Sequence, residues 1–168
     1  LPTGGGNLIT TTGATFTGNI ATKGISAVTA GTSNFVAGVN AGNSITSGGN
    51  YNTVVGDEAG TAITTGDNNV AVGYGSLVAN TTGSANAAVG LSCLDSNTTG
   101  NHNNALGYLA LQANTTGSQN TAIGGTALYA NTTGGDNTAS GYNSMGANTT
   151  GASNVSLGAN SLRSNTTA

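Results

Sequence analysis

The tripeptide Asn-Thr-Thr recurs every seventeen residues, and this repeat constrains the fold more than any other feature of the chain. The copies contain no insertion or deletion between them and begin at Asn80, Asn97, Asn114, Asn131, Asn148 and Asn165. A strict period of this kind is typical of architectures in which equivalent units stack in one dimension. The sequence therefore predicts a solenoid of stacked coils.

The rest of the unit keeps the same step and is written N-T-T-G-x-x-N-x-A-[VIL]-G-x-x-[AS]-L-x-[AS]. Its second asparagine occupies Asn52, Asn69, Asn86, Asn103, Asn120, Asn137 and Asn154. A glycine follows four residues later, at Gly56, Gly73, Gly90, Gly107, Gly124, Gly141 and Gly158. The residue before that glycine is mostly aliphatic, as in Val55, Val72, Val89, Leu106, Ile123 and Leu157. Upstream the match continues from Asn52 to Asn34 at a spacing of eighteen, which predicts about eight coils over residues 34–168.

The composition excludes several classes of protein. Only 4% of the residues are charged, there is no Trp, and there are two Phe, so a conventional globular core is not expected. Lys23 and Arg163 are the only cationic side chains, which argues against binding to nucleic acid or anionic lipid. No apolar run reaches the length of a membrane span. The strict register of aliphatic positions argues against a disordered linker.

The repeat favours strands and turns over helix, because each unit carries at least two Gly together with Asn, Thr and Ser. The segment N-x-A-[VIL]-G predicts one short strand, and x-[AS]-L-x-[AS] predicts a second. The N-T-T-G segment is then the turn between coils. The predicted fold is all-β: a parallel β-solenoid, or β-roll, of about eight seventeen-residue coils.

Stacking places identical residues in columns along the axis, about 4.8 Å apart. We expect the asparagines from Asn52 to Asn154 to form a ladder of amide hydrogen bonds. The glycines from Gly56 to Gly158 mark places where the backbone turns with positive φ or passes close to another chain. Alternation places the small residues inside the coil and the column from Val55 to Leu157 outside. An exposed aliphatic column predicts association with other chains.

At the level of the repeat, the sequence resembles known fibre proteins. NTAIGGTALYANTTG (120–134) and NYNTVVGDEAGTAITTGDNNVAVGYGSL (50–77) look like the repeats of phage tail fibres and related exported fibres. Their N-[ST]-x-A-[IV]-G core is similar to the head repeat of trimeric autotransporter adhesins. This resemblance implies a homotrimer of parallel β-rolls, left-handed in the adhesin heads, with the aliphatic residues meeting on the threefold axis.

Residues 1–33 lack the period, and we expect them to form a β-rich connector, cap or assembly segment. Because the chain begins at Leu1 without Met, we expect a processed or partial product of an extracellular, cell-surface or virion protein.

The sequence favours a structural subunit of a fibre, filament or adhesin, with copies of itself as partner and a cell-surface glycan or receptor as a further candidate. The alternative is a binding module that presents a threonine ladder to glycan or ice, formed by Thr81, Thr98, Thr115, Thr132 and Thr149. The Asn-Thr-Thr triplets also match the N-glycosylation pattern, which a repeat multiplies automatically.

No catalytic constellation is present in the sequence, and we expect no enzymatic activity, cofactor or metal. His102 is the only histidine and occupies a variable position of the repeat. Asp57 and Glu58 are adjacent, so on an extended segment they point to opposite faces. Cys93 stands in a column otherwise filled by Ala and Ser, which predicts a small buried side chain.

Overall fold

The computed structural model describes residues 31–167, so the predicted segment 1–33 lies almost entirely outside the described residues. The described chain contains no helix and folds into eight three-residue strands: β1 (Phe35–Ala37), β2 (Thr53–Val55), β3 (Val70–Val72), β4 (Ala87–Val89), β5 (Asn104–Leu106), β6 (Thr121–Ile123), β7 (Thr138–Ser140) and β8 (Val155–Leu157). They form a single sheet in the order β1 to β8, and every neighbouring pair is parallel. The predicted all-β parallel solenoid is therefore confirmed.

The register of the sheet follows the repeat. Ala122 lies opposite Ala139, seventeen residues on, whereas Val36 lies opposite Val54, eighteen residues on. The additional residue of the first coil lies in the turn that follows Thr46. The Thr46 N–H donates to the Thr64 carbonyl, which is eighteen residues later. The Asn50 N–H donates to Asp67 Oδ1, which is only seventeen residues later, so the spacing changes between Thr46 and Asn50. The turn absorbs the extra residue without disturbing the strands on either side.

We number the coils from the asparagine that precedes each strand, so that coil 1 begins at Asn34, coil 2 at Asn52, coil 3 at Asn69 and coil 8 at Asn154. Stacking extends slightly upstream of coil 1, since the Tyr51 N–H donates to the Thr32 carbonyl over 3.0 Å. At about 4.8 Å per coil, the eight coils form a rod about 40 Å long.

The second predicted strand, over x-[AS]-L-x-[AS], is wrong, because this segment is a series of turns. Its large residue has a left-handed backbone, with φ of 51° at Leu77, 53° at Leu94 and 55° at Leu111. This conformation costs about 1–2 kcal/mol for an L-residue. Burying a leucine side chain contributes about 1.5–3 kcal/mol, which offsets that cost. The turn therefore aims the leucine into the interior.

Two apolar columns fill the interior of the later coils. The small column is fully or almost fully buried and consists of Ala71, Ala88, Ala105, Ala122 and Ala139. The leucine column is fully buried and consists of Leu77, Leu94, Leu111, Leu128 and Met145. The predicted assignment of small residues to the inside is confirmed, and a column of large residues joins them there.

The first two coils build the same core from different residues. Coil 2 has Val54, Gly60 and Ile63 where coil 3 has Ala71, Leu77 and Asn80. Gly60 is left-handed (φ 53°), and a methyl group placed there would meet Ile63 Cδ1 at 2.8 Å. The isoleucine therefore occupies the space that the leucine column fills in later coils, and coil 1 repeats this arrangement with Val36, Gly42 and Ile45.

Candidate functional site

The first asparagine ladder consists of Asn52, Asn69, Asn86, Asn103, Asn120, Asn137 and Asn154. Each rung uses the same atoms, as Asn103 shows. Its Oδ1 accepts from the backbone N–H and from Nδ2 of Asn120, at 3.0 and 3.1 Å. Its Nδ2 donates to Asn86 Oδ1 at 3.2 Å and to the Gly117 carbonyl at 2.9 Å. All four hydrogen-bonding positions of the amide are filled.

A second asparagine ladder runs beside the first and consists of Asn80, Asn97, Asn114, Asn131, Asn148 and Asn165. Asn114 Nδ2 donates to Asn97 Oδ1 at 2.8 Å and to the Gly117 carbonyl at 2.9 Å. The Gly117 carbonyl thus accepts from both ladders and connects them. The sequence predicted only a turn at this asparagine, although its strict recurrence was the signal for a second ladder.

The second asparagine ladder closes the N-glycosylation acceptor sites in the folded chain. Five of its members, Asn80, Asn97, Asn114, Asn131 and Asn148, have side chains with 0% exposure. Their amide nitrogens, the atoms that a glycan would occupy, already donate to protein oxygens. No glycan fits on these five side chains while the coils are stacked.

The glycine column from Gly56 to Gly158 has the positive φ expected of it, and the backbone that it approaches is the next coil of the same chain. Its φ values lie between 112° and 141°, which an L-residue rarely adopts. A methyl group at Gly107 would also lie 2.7 Å from the carbonyl carbon of Gly124 in the next coil. The column therefore marks the close approach of consecutive coils at the end of each strand.

The predicted threonine ladder, which we call the inner threonine column, faces the next coil. Its members are half-buried, and each hydroxyl donates to the backbone carbonyl of the next threonine in the column, as from Thr115 to Thr132 at 3.1 Å. The bonds recur at Thr81, Thr98, Thr132 and Thr149. The exposed threonines are instead the next residues along, the outer threonine column, at Thr65, Thr82, Thr99, Thr116, Thr133 and Thr150.

The aliphatic column lies on the outer face of the sheet, as the alternation predicted. Val55 and Val72 are partly exposed. The exposed fraction is 51% at Leu106, 45% at Ile123 and 70% at Leu157. The column also includes Val89 and Leu157, with Ser140 as its one polar member between them. No charged residue interrupts it. The column is an apolar stripe along the rod that is interrupted only at Ser140.

The polar side chains considered as catalytic candidates, those of His102, Asp57 and Glu58, are exposed or partly exposed. His102 is exposed in a turn, and the carboxylates of Asp57 and Glu58 accept hydrogen bonds from Val39 and Asn40 of the preceding coil. Residues 31–167 contain no group of three or more His, Cys, Asp or Glu side chains placed to hold a metal ion. They also contain no helix long and apolar enough to cross a membrane.

Cys93 lies in the interior, where its Sγ is 3.2 Å from the Ala105 carbonyl oxygen. Burial raises the pKa of its thiol from 9.0 to about 12, so the thiolate is not formed near neutral pH. This agrees with the small buried side chain that its column predicted and leaves no reactive thiol at the surface of the described chain.

The sequence and structure were compared with protein-family models, with curated proteins and with solved structures, and none of these matches the chain.

Proposed function

We propose that the chain is a structural, non-enzymatic segment of an extracellular or virion fibre, in which three copies associate along the aliphatic column. The exposed aliphatic column is the observation that carries this proposal. A soluble rod with an apolar stripe along its length gains free energy by covering that stripe with another chain. The resemblance of the repeat to those of phage tail fibres and adhesin heads supports the trimer.

The geometry of the column suits a parallel assembly about one axis. Residues of the column recur once per coil, so three parallel copies in register bring like residues together at each level. Leu106 would meet its two symmetry copies, and Ile123 would do the same one coil below. Because no charge lies in the column, this contact buries no unpaired ion.

The interior supports a mechanical role. No buried side-chain nitrogen or oxygen among the described residues lacks a hydrogen-bond partner. The two ladders and the sheet run without a break through the coils, so bending the rod strains hydrogen bonds at several columns together. A rigid spacer that holds attachment surfaces apart is the function that this construction favours.

The threonine ladder gives weaker support to the alternative, a module that binds glycan or ice. The hydroxyl protons of the inner threonine column are already donated to backbone carbonyls. Only the outer threonine column presents its side chains fully to a ligand. Activity in a thermal hysteresis assay, and its loss on replacing Thr99 and Thr116 with Tyr, would favour the alternative.

The test of the trimer is the mass of the assembly in solution. We expect the parent chain to sediment at three times its monomer mass of 16.0 kDa. Leu106→Asp combined with Ile123→Asp places carboxylates in the aliphatic column and is expected to give monomers. Thr99→Asp combined with Thr116→Asp adds the same charge on the outer threonine column and is the matched control, which should remain trimeric. A monodisperse parent monomer at micromolar concentration would overturn the proposal.

A further inference from the structure

A column of tyrosines runs beside the aliphatic column, on the residue that follows each glycine of the glycine column. Its members, the tyrosine column, are Tyr74, Tyr108 and Tyr142, in coils 3, 5 and 7. They are 60%, 57% and 62% exposed. Such an exposed tyrosine presents a large apolar ring to solvent, and packing within the chain gives no reason for it.

The tyrosines recur in every second coil, and this spacing is the central observation. Consecutive coils are about 4.8 Å apart, so the three rings follow one another at intervals of about 9.6 Å. The sheet register is unbroken from β3 to β7, which keeps these intervals equal along the rod.

The coils between the tyrosines carry other residues at this position, and in coil 4 it is Leu91, which is 47% exposed. Coil 6 has Gly125 in this column, and a methyl group there would contact Cδ2 and Cε2 of Tyr142 at 3.5 and 3.7 Å. The side of the Tyr142 ring that carries Cδ2 and Cε2 therefore lies towards coil 6. At the next position along the chain, coils 4 and 6 have the partly exposed hydroxyl residues Ser92 and Thr126. The Thr126 hydroxyl donates to the Gly125 carbonyl at 2.7 Å, so it would meet a sugar as a hydrogen-bond acceptor.

We propose that the tyrosine column binds an extended, neutral, β-1,4-linked polysaccharide chain that runs along the rod. Successive sugars of such a chain are turned over relative to each other, so every second sugar presents the same face. The interval between the tyrosines is about the length of one disaccharide unit. Each ring would stack on the apolar C–H face of one sugar, and Ser92 and Thr126 would face the sugars between.

The charge distribution points to an uncharged polysaccharide. Arg163 is the only Lys or Arg among residues 31–167 and occupies another position of the repeat. The charged residue at the position of the tyrosine column, Asp57 in coil 2, is acidic. The net charge of the chain is −3. A uronate or sulfated chain would be repelled, whereas a glucan or an N-acetylglucosamine polymer would not. The proposal goes beyond the fibre proposed above, because it uses a column that the aliphatic contact does not require.

The test uses the full chain with cellohexaose and chitohexaose in calorimetry, and with insoluble cellulose and chitin in sedimentation assays. We expect binding to at least one of the two polymers, and the polymer that is bound identifies the sugar. Tyr108→Ala should weaken binding about threefold to tenfold, the effect of losing one stacked aromatic ring. Replacing all three tyrosines should abolish retention on the insoluble polymer.

Two sets of controls isolate the column and its spacing. Tyr51→Ala and Tyr129→Ala remove tyrosines that are 60% and 41% exposed in other columns, and should leave binding unchanged. The double variant Leu91→Tyr with Tyr108→Leu keeps the number of rings but breaks the two-coil interval, and should bind as weakly as Tyr108→Ala. Circular dichroism verifies that each variant is folded.

The proposal is overturned if the parent binds neither polymer, if the triple variant binds like the parent, or if the Tyr51 and Tyr129 variants lose as much as Tyr108→Ala. Sedimentation of the same samples without sugar reports the assembly separately. A monomer that binds sugar would therefore reject the trimer alone, and a trimer that binds none would reject the tyrosine column alone.

Discussion

Each asparagine between the ends of the first ladder joins three consecutive coils through a single side chain. Asn103 bonds to Asn86 in the coil above and to Asn120 in the coil below, and it also bonds to the Gly117 carbonyl within its own coil. An amide buried without such partners costs about 1–3 kcal/mol for each unsatisfied group. The ladder therefore makes one register far more favourable than any other.

Replacing a rung of the first ladder should be strongly destabilising. We expect Asn103→Ala to lower the free energy of unfolding by about 3 kcal/mol or more, because it leaves the backbone N–H and one Nδ2 hydrogen of Asn120 without an acceptor. It also removes one of the two donors to Asn86 Oδ1, while the backbone N–H of residue 103 remains as the other. Asn104→Ala is the matched control, since Asn104 is the next residue and is exposed on the outer face of β5. It should change stability by less than about 0.5 kcal/mol. Urea unfolding measures both, and equal effects would contradict a structural role for the ladder.

The buried thiol of Cys93 predicts a specific loss of stability at alkaline pH. Burial raises its pKa from 9.0 to about 12, so the folded chain holds this proton more tightly than the unfolded chain. Below about pH 9 the thiol therefore does not affect how the free energy of unfolding depends on pH. Between about pH 9 and 12 the free energy of unfolding falls as the pH rises, by about 1.4 kcal/mol per pH unit at most.

Cys93→Ala isolates this contribution, because Ala110 and Ala127 occupy the same column in later coils. The difference in free energy of unfolding between the parent and this variant should be constant from pH 6 to 8 and should shift in favour of the variant above pH 9. A difference independent of pH up to 11 would show that the thiol titrates normally and is not buried.

At the scale of the coil, the sequence was informative where periodicity alone decides the structure. The seventeen-residue step predicted the parallel register, and alternation predicted that Ala122 points inward and Ile123 outward. The second strand was wrong because left-handed backbone is usually assigned to Gly or Asn, whereas here Leu77 and its equivalents adopt it. Only the stacked neighbours, which a single unit does not contain, favour that conformation.

The two kinds of coil predict a coupled exchange of residues. Gly60→Leu alone should be destabilising, because its side chain competes with Ile63 and Val54 for one space. Ile63→Asn alone leaves a cavity, at a cost of about 2–5 kcal/mol. A triple variant that combines these two changes with Val54→Ala has the residues of coil 3 at all three positions. Its asparagine at position 63 then extends the second asparagine ladder, where its Oδ1 can accept a hydrogen bond from Asn80 Nδ2. We expect the triple variant to be more stable than the sum of the single effects by at least about 1 kcal/mol.

The measurement is a cycle of urea unfolding experiments over the single, double and triple variants. Additive effects would contradict the view that these three positions share one volume. As a control, the pair Gly60→Leu with Thr82→Ala combines the same core change with an exposed residue of the outer threonine column in the next coil, and its effects should add.

For the whole molecule, the solenoid is a linear array in which each strand contacts only the strands before and after it. Its stability is then close to a sum of coil and neighbour terms, and its length is not fixed by a closed core. With 4% charged residues, surface ion pairs contribute little, so stability should depend only weakly on salt. The array does require that each coil place its residues in register with the same columns of the neighbouring coils.

Removing one complete coil should therefore be tolerated, whereas removing one residue more should not. Deletion of residues 103–119 joins His102 to Asn120 and restores every column, so we expect cooperative unfolding with a slightly lower midpoint and a smaller denaturant dependence. Deletion of residues 103–120 leaves a coil of sixteen residues and removes a rung of the first asparagine ladder. A turn can absorb an extra residue, as coil 1 does, but a missing residue must be taken from the strand or from a ladder. We expect the free energy of unfolding to be several kcal/mol lower for this deletion than for the first, because a shift of one residue turns the inward face of a strand outward. Equal stability of the two deletion variants would mean that the columns do not set the register.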